Sequence, residues 1–454
     1  MSTTQSGETM SREGSLDAPV RHPIPWEDAD FYDLEKLDAE LRRVFDICHG
    51  CRRCFNLCDS FPRLFELIDD SETGELESVD SKDFKPVIDA CTLCDMCFMT
   101  KCPYVPPHEF NLDFPHLMLR HRAVENKNGK VPFGKRELTK TDRNGKLCCS
   151  MAPVANWAGK RGNGLTRPAM QALAGVHKDA ELPQYQSKTF MDMAQSPPEI
   201  DAAAPAHGRK AVIFATCFAN FNSPAIGTSA LTILAKNGVE TEVVYPRCCG
   251  MPQLENGDIA AVAESAREVS AELKGWIDKG YDVISLVPSC TLMMKFEWPL
   301  IVPDDDNVKR LSKAMFDIDE YVVAIANKEG LADGLTPLDG EVTVHIACHA
   351  RAQNVGQKAV ELLRLIPDSK VNVIARCSGH GGAWGVMKDT FEVGIKVGKP
   401  VARQAAKNKS AYLVSECPLA REHIMQGIEM LGEENPAERA VQHPIQLLAR
   451  AYGC

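Results

Sequence analysis

The stretch CHGCRRCFNLC at residues 48–58 and the stretch CTLCDMCFMTKCP at residues 91–103 decide the first part of the fold. In each stretch three cysteines follow one another at C-x2-C-x2-C spacing, and a fourth lies about a turn further on. This spacing lets three thiolates surround one corner of a cubic iron-sulfur cluster while the fourth reaches away. The sequence therefore predicts that both stretches bind iron-sulfur clusters.

The fourth cysteine of each stretch is expected to cross over to the other cluster, as in proteins that carry two cubane clusters. We predict one [4Fe-4S] cluster on Cys48, Cys51, Cys54 and Cys102, and another on Cys91, Cys94, Cys97 and Cys58. Zinc sites with two C-x2-C pairs need no third evenly spaced thiol, and disulfides are typical of short secreted chains. Two details depart from the simplest pattern: Asp59 stands where a proline is usual, and four residues separate Cys97 from Cys102.

The composition of the 454 residues is that of an ordinary globular protein with about three domains. The net charge of -11 argues against a nucleic-acid partner, which needs clustered Lys and Arg, and it suits partners with basic patches. Residues 1–25 lack the apolar core of a signal peptide and are predicted to form a disordered tail. No stretch approaches the ~18 apolar residues that span a bilayer. With 18 cysteines and no export signal, we expect a cytoplasmic protein.

Residues 26–122 are predicted to form a mostly helical ferredoxin-type domain. Apolar residues recur at spacings of three and four between Trp26 and Ile47, and no strand-like alternation lies between the two cysteine stretches. Residues 123–207 mix Gly, Pro and charged residues, and we predict a connector there. The alternative is a short amphipathic segment that touches a membrane or a partner. The adjacent Cys148 and Cys149 have no third thiol nearby and are predicted to be structural.

From Arg209 onward, apolar strand-like runs alternate with helical segments, which predicts parallel sheets with helices on their faces. We place one such domain at residues 208–331 and a second at residues 338–454. The predicted fold class is therefore a multidomain α + α/β protein. In it, an N-terminal helical two-cluster ferredoxin module precedes two duplicated α/β domains.

The two α/β halves carry cysteines at matching places, which indicates an internal duplication offset by about 130 residues. The first half has Cys217, Cys248, Cys249 and Cys290, and the second has Cys348, Cys377 and Cys417. Each follows a predicted strand, and ligands of open α/β sheets bind outside the carboxyl ends of the strands. Three loops of one sheet can therefore bring their thiolates to a single site. A glycine after each central motif, Gly250 or Gly379, would let the backbone approach a cofactor closely.

The chain resembles iron-sulfur oxidoreductase subunits with tandem cysteine-rich CCG domains. These include the C subunits of anaerobic glycerol-3-phosphate dehydrogenase, the heterodisulfide reductase subunits, and the iron-sulfur subunits of glycolate and lactate oxidation. The resemblance lies in the motifs CTLCDMC, HEFNLDFPHLMLRHRA, CCGMPQLENGD, PSCTLMMKFEWP, CHARAQNVG, CSGHGG and ECPLA. The phrase GVHKDAELPQYQSKTF at residues 175–190 is also similar to proteins found alongside rubrerythrin-type proteins.

The resemblance implies electron transfer between the two cubane clusters and a redox site in the CCG domains, which would hold an additional iron-sulfur cluster. The heterodisulfide reductase relatives carry a fuller cysteine set, and their unusual cluster acts on disulfides. In this chain Met293, Ser378 and Ala420 stand in places of missing cysteines. Four thiolates suffice for one cluster in the first half, whereas the three of the second would need another ligand, such as His349 or His380. The alternatives are loop hydrogen bonding for these histidines and simple burial for the thiols.

No dinucleotide, Walker A, H-E-x-x-H or G-x-S-x-G motif is present, so we expect substrate oxidation on another subunit. The expected function is an electron-transfer subunit of a larger oxidoreductase complex. It would take electrons from a flavoprotein dehydrogenase, or exchange them with a rubrerythrin-type protein, and pass them to an acceptor such as quinone at the inner face of the membrane. The rivals are an enzyme that reduces a disulfide or peroxide at an open CCG-domain cluster, and a cluster-based redox sensor.

Overall fold

The computed structural model describes residues 19–454, and its first part, to residue 207, is built from helices. The longer helices of the N-terminal module are Leu34–Cys51 (α1), Ser60–Asp69 (α2), Lys85–Asp89 (α3) and Phe114–Lys127 (α4). Short helical turns lie at Ala29–Tyr32, Leu76–Ser78, Ser81–Phe84 and Cys97–Lys101. The side chain of Asp33 accepts a hydrogen bond from the Lys36 N–H and so begins α1. Its apolar residues at helical spacing, Leu37, Leu41, Val44 and Phe45, are all buried.

An aromatic core fixes these helices around the two cysteine stretches. The Phe45 ring of α1 meets Phe84 edge-on at 5.1 Å between centroids. Phe61 of α2 packs on Phe114 of α4 at 4.8 Å. Such pairs add stabilisation beyond the apolar area that they bury. The loops that carry the cysteines are therefore anchored to a packed aromatic core.

The predicted tail lies partly outside the described residues, which begin at residue 19. Residues 19–25 pack along the molecule: the Ile24 N–H donates to the Leu300 carbonyl at 2.8 Å, and the Ile24 side chain is buried. The Arg21 guanidinium donates to three carboxylates, those of Asp95, Asp113 and Glu297. This short segment therefore ties the N-terminal module to the first α/β domain.

Residues 123–207 fold into short helices that pack against both halves of the chain. They are Phe133–Leu138 (α5), Thr141–Ser150 (α6), Ala152–Gly159 (α7), Thr166–Ala174 (α8) and Phe190–Met193 (α9). Arg167 is buried, and its guanidinium donates to four backbone carbonyls, those of Gly159, His177, Lys178 and Ala180. The Asn156 side chain and the Tyr185 backbone exchange two further hydrogen bonds. These bonds satisfy the polar groups of an otherwise irregular segment.

The first α/β domain is a four-stranded parallel sheet in the order β2-β1-β3-β4. Its strands are Lys210–Phe214 (β1), Glu240–Val244 (β2), Asp282–Ser285 (β3) and Met315–Asp317 (β4). Its helices are Cys217–Phe221 (α10), Pro224–Lys236 (α11), Met251–Glu255 (α12), Ile259–Ile277 (α13), Pro288–Leu292 (α14), Trp298–Ile301 (α15), Asp306–Ala314 (α16) and Ile318–Lys328 (α17). A π-helical turn, Met293–Glu297, joins α14 to α15.

The second α/β domain is a three-stranded parallel sheet in the order β6-β5-β7. Its strands are Val342–His345 (β5), Val371–Ile374 (β6) and Tyr412–Ser415 (β7). Its helices are Cys348–Ala352 (α18), Lys358–Leu363 (α19), Phe391–Asn408 (α20), Pro418–Met430 (α21) and Pro444–Ala451 (α22). In both sheets the first strand lies between the second and the third. The two parallel sheets confirm the predicted α/β character of this part of the chain.

Between residues 19 and 454, no helix is both long and apolar enough to cross a membrane.

Candidate iron-sulfur and redox site

The first set of four thiols forms where α1 ends. Cys48 and Cys51 lie in its last turn, and Arg52 leaves the helix in a left-handed conformation. The Cys48 thiol interacts with Cys102, Cys54 and Cys51; burial and these neighbours raise its pKa well above the ordinary value. Burial, then Cys102 and Cys51, raises the pKa of Cys54 to about 12. The structure thus brings Cys48, Cys51, Cys54 and Cys102 together, which is the set that the cross-ligation pattern groups.

The second set of four thiols combines Cys58 with the stretch that follows α3. Burial raises the pKa of Cys97 well above its ordinary value, with further contributions from Cys94, Cys91 and Cys58. Burial raises the pKa of Cys91 to about 11. Cys97 also interacts with Cys54 of the first set, so the two sets are neighbours.

The backbone between these cysteines is held in an unusual conformation. Leu93 and Asp95 adopt positive φ angles of 50° and 61°, which non-glycine residues rarely do. The Asp95 carboxylate accepts two hydrogen bonds from Arg21, at 2.8 and 3.0 Å. The Arg122 guanidinium donates to the carbonyls of Ile88 and Cys91. These charged hydrogen bonds offset the backbone strain and fix the loop that carries Cys91, Cys94 and Cys97.

Both α/β domains open onto one cavity of about 770 Å³. Its wall contains thiols from the second set, from the connector and from both halves of the repeat, namely Cys94, Cys148, Cys217, Cys248, Cys249, Cys290, Cys348, Cys377 and Cys417. All seven thiols of the repeat therefore line one cavity. This agrees with their positions directly after strands, because ligands of open α/β sheets bind outside the carboxyl ends of the strands. The structure does not place Cys149 on this wall; its thiol is buried and donates to the Phe221 carbonyl at 3.5 Å.

In the first half of the repeat, three loops hold two close thiol pairs. The sulfur atoms of Cys217 and Cys248 are 4.0 Å apart, and those of Cys249 and Cys290 are 3.2 Å apart. The Cys248 N–H donates to the Asp142 carboxylate at 3.0 Å, and the Trp298 indole donates to the Cys249 carbonyl at 3.1 Å. Hydrogen bonds from Cys217 and Cys249 lower the pKa of Cys248 well below its ordinary value. Cys248 is therefore the thiol of this set whose anion its neighbours stabilise.

In the second half, Cys348 begins α18 and Cys417 immediately precedes α21. A hydrogen bond from the Cys348 thiol lowers the pKa of Cys377 to about 7, and the Gly379 N–H contributes at 3.4 Å from the sulfur. Burial raises the pKa of Cys417 to about 11. Buried Ala420 occupies the position of a missing thiol. Gly379 has a φ of 78°, and a Cβ there would lie 2.0 Å from the Gly394 carbonyl oxygen, so only glycine fits.

The second set of thiols touches the second half of the repeat directly. Cys94 and Cys348 both pack against a buried group formed by Met96, Leu292 and Ala352, and an interaction with the Cys348 thiol lowers the pKa of Cys94. Cys377 interacts electrostatically with both Cys94 and Cys58. Cys94, Cys348 and Cys377 all lie on the cavity wall. The N-terminal helical module therefore meets the cavity beside the thiols of the second α/β domain.

The two candidate histidine ligands differ in their surroundings. Both ring nitrogens of His349 are engaged: Nδ1 lies 2.9 Å from the Ser289 hydroxyl, and Nε2 lies 3.3 Å from the Leu93 carbonyl. His349 thus has the loop hydrogen bonds of a structural residue. Within the described chain, His380 Nε2 is buried without a hydrogen-bond partner, and burial lowers the pKa of this imidazole to about 3. Of the two, His380 is the neutral imidazole with a free nitrogen.

Sequence reasoning missed two carboxylates beside these thiols. Asp142, from the connector, binds the Cys248 N–H and also accepts a hydrogen bond from Tyr245. Glu255 ends α12, lines the cavity and accepts a bond from the Ala383 N–H at 3.4 Å; burial raises its pKa to about 7. Glu255 lies within the quoted motif CCGMPQLENGD, whereas no local signal marks Asp142.

The N-terminal thiols lie in two sets of four, which is the number that a cubane cluster needs. In the part of the chain that the structure describes, no three His, Cys, Asp or Glu side chains converge tightly enough for one ion. A cluster holds its ligand sulfur atoms farther apart than the close pairs in the first half of the repeat, so those pairs would have to separate to bind one. Protonated thiols crowded together in buried positions are also what metal binding relieves, because each ligand thiolate is stabilised by the iron.

Comparison with known proteins agrees with this geometry. The family of cysteine-rich domains named CCG matches residues 211–295 and again residues 342–420. The C subunit of anaerobic glycerol-3-phosphate dehydrogenase from Escherichia coli is 25% identical over 320 residues, which cover 69% of this chain and 76% of that protein.

Two archaeal proteins are also similar to this chain, each over a different part of its length. The D subunit of dihydromethanophenazine:CoB--CoM heterodisulfide reductase from Methanosarcina acetivorans is 24% identical over 423 residues, 83% of this chain and 98% of that protein. An uncharacterized iron-sulfur protein of Methanococcus maripaludis is 28% identical over 239 residues, 51% of this chain and 44% of that protein. The expected resemblance is thus confirmed: the chain carries two cysteine-rich CCG domains in tandem, and its homologues include these dehydrogenase, heterodisulfide reductase and iron-sulfur proteins.

Proposed function

We propose that this chain is an iron-sulfur electron-transfer subunit that relays electrons between a redox partner and an acceptor bound in the cavity. The observation that carries the proposal is that Cys94 and Cys348 pack against the same buried residues and line the same cavity. This packing joins the second ferredoxin-type thiol set to a cavity that contains the thiols of both CCG domains. The homologues that are named dehydrogenase and reductase subunits support the same role.

The eight N-terminal cysteines would hold two [4Fe-4S] clusters, which when bound supply one-electron transfer. Electrons would pass from one site to the next, because Cys97 of the second set interacts with Cys54 of the first and Cys94 of the second set lines the cavity. The exposed surface near the first set, at the end of α1, is where a flavoprotein dehydrogenase or a rubrerythrin-type protein would dock. The chain's acidic character suits a partner with a basic patch.

The repeat thiols would hold a further cluster beside the acceptor. Cys217, Cys248, Cys249 and Cys290 supply four thiolates, whereas Cys348, Cys377 and Cys417 supply three. The cavity between them is largely apolar, and its partly buried Glu255 side chain has a pKa raised by burial to about 7, so it is neutral below that pH. Such a lining suits a quinone or a disulfide as acceptor.

A second candidate function follows from the three-thiol half. An incomplete ligand set leaves room at the metal, so the chain itself could reduce a disulfide or a peroxide in the cavity without another catalytic subunit. Turnover of such a substrate by the isolated chain, with a chemical reductant, would favour this enzyme. A chain that exchanges electrons with no acceptor at all would instead be a redox sensor.

The electron path can be tested with the anaerobically purified chain. After reduction, an acceptor such as a short-chain quinone is mixed in, and reoxidation is followed by absorbance and by EPR. Cys348→Ser is expected to retain the iron of the two N-terminal sets but to slow their reoxidation by the acceptor. The matched control is Cys454→Ser, which removes an exposed thiol far along the chain. Equal reoxidation rates in both variants would overturn the proposed path.

A further inference from the structure

We propose that the helices around the cavity mouth dock onto an anionic lipid surface, so that a lipid-soluble acceptor enters the cavity directly from the bilayer. This inference rests on the proposed function, because it names where the acceptor comes from. The surface concerned is the mouth patch, formed by Phe133, Leu147, Met151, Val154, Trp157, Leu165 and Leu173.

The mouth patch concentrates the exposed apolar side chains of the protein. Of the fourteen large hydrophobic residues that are exposed within residues 19–454, these seven lie between residues 133 and 173. Val154 is 60% exposed and Trp157 is 54% exposed. Single exposed apolar residues are ordinary, whereas a contiguous group marks an interaction surface.

Three residues of the patch also line the cavity. Leu147 on α6 and Met151 and Val154 at the start of α7 are both exposed to solvent and part of the cavity wall. Met151 lies at the junction of the two helices, so the three side chains come from one short stretch. Met170 and Ala174 of α8 also line the cavity. Part of the patch thus continues into the cavity wall.

The charge around the patch is opposite to that of the chain as a whole. Residues 130–167 contain nine Lys and Arg residues and two acidic residues, a net charge of +7, in a chain with a net charge of -11. Arg136, Lys146 and Lys160 are exposed, and none of the three has a salt-bridge partner in the described part of the chain. Lys160 also lies at the cavity wall. Apolar side chains interleaved with cations are the composition of helices that lie in the headgroup region of anionic membranes.

The apolar entrance favours lipid over an acidic protein as the occupant. A protein partner on the patch would close the cavity, whereas a bilayer would supply the acceptor through it. Trp157, with an apolar ring and a polar N–H, is also the residue type enriched at membrane interfaces.

The inference is tested by co-flotation of the anaerobically purified, iron-loaded chain with vesicles of phosphatidylcholine alone or mixed with phosphatidylglycerol. The wild type is expected to float with the mixed vesicles and to detach at high salt. Trp157→Glu with Leu173→Glu changes two exposed patch residues that do not line the cavity. It should weaken flotation by about tenfold or more, because it places charge in the apolar layer. Met430→Glu is the matched control, since Met430 is similarly exposed at the end of α21. No flotation of the wild type, or equal loss in both variants, would overturn the inference.

A second readout separates this inference from the proposed function. The reduced chain is mixed with a water-soluble short-chain quinone or with vesicles that contain a long-chain quinone. If the patch variant reacts normally with the short-chain quinone and slowly with the long-chain quinone in vesicles, both the proposed function and the docking inference stand. Vesicle binding without reaction with either quinone would overturn quinone as the acceptor while docking stands. Patch variants that dissociate a dimer in size-exclusion chromatography, with no vesicle binding in the wild type, would identify a second copy as the occupant and overturn lipid docking.

Discussion

The sulfur atoms of Cys249 and Cys290 lie 3.2 Å apart, although they come from two different loops of the first α/β domain. Both thiols are buried, and both lie on the cavity wall. Cys249 is further fixed through its carbonyl by the Trp298 indole. Two separate loops thus bring their thiols to one point, and a shared cluster would hold the two sulfur atoms farther apart than they are here.

Cys249→Ser is expected to remove the spectroscopic signal of the cavity site and the iron bound there, while the eight N-terminal cysteines keep theirs. The reason is that this thiolate contributes to the four-thiol half of the repeat. EPR during stepwise reduction, together with iron and sulfide analysis, measures both effects. The matched control is Cys149→Ser, a buried thiol that donates to the Phe221 carbonyl and does not line the cavity. If Cys249→Ser changed only stability, the thiols of the repeat would be buried side chains without a cofactor.

Cys94→Ser is expected to remove one cubane cluster, about four irons per chain, because Cys94 belongs to the second thiol set. It should also slow electron transfer into the cavity, since the same thiol is the partner of Cys348. Iron analysis and the reoxidation rate measure the two effects. Cys454→Ser again serves as control. An unchanged iron content would contradict the assignment of residues 91–97 to an iron-sulfur site.

The spacing of the cysteines predicted much of this arrangement, because local spacing and strand position decide it. The repeat around Cys217 and Cys348 predicted two parallel sheets with thiols after their strands, and the sheets are present. The grouping of Cys58 with Cys91, Cys94 and Cys97 follows from the same kind of pattern, and its cluster remains a prediction.

Other features depend on contacts that no local pattern records. The connector folds because Arg167 gathers carbonyls from segments ten or more residues away, at Lys178 and Ala180 among others. The segment around Arg21 is ordered by carboxylates distant in sequence. The contact of Cys94 with Cys348 requires the docking of separate domains, so the sequence could place both thiols at sites but not beside each other.

Arg21→Gln is expected to destabilise the protein by about 3–5 kcal/mol, because it leaves Asp95 without its cation and leaves Asp113 and Glu297 with His116 alone. The guanidinium lies 2.8 Å from Asp95 and Asp113 and 3.0 Å from Glu297. The loop of the second thiol set should also lose rigidity, since Asp95 lies within it. Thermal unfolding under anaerobic conditions measures the first effect, and the retention of iron measures the second.

Arg43→Gln is the matched control for Arg21. Arg43 pairs with Glu40 on the exposed side of α1, and exposed pairs contribute at most about 1 kcal/mol. Equal melting temperatures for the two variants would show that the Arg21 contacts do not hold the N-terminal module to the first α/β domain.

Glu255→Gln is expected to stabilise the protein increasingly as the pH rises. Burial raises the pKa of Glu255 to about 7 from an ordinary value of 4.5. As the pH rises, the unfolded chain loses this proton at a lower pH than the folded protein does. The free energy of unfolding of the wild type therefore falls between about pH 4.5 and pH 7 and is constant above that. Gln resembles the protonated carboxyl and does not titrate. The advantage of the variant should therefore grow by about 2 kcal/mol between about pH 5.5 and pH 8.

Urea unfolding of the anaerobic protein at the two pH values measures this growth. Glu272→Gln, on the exposed side of α13, is the matched control and should show no such growth. The Ala383 N–H can still donate to the oxygen of the introduced amide, so the fold around the cavity is kept. A pH-independent difference between wild type and variant would mean that Glu255 is ionised throughout, and that the cavity is wetter and more polar than its burial indicates.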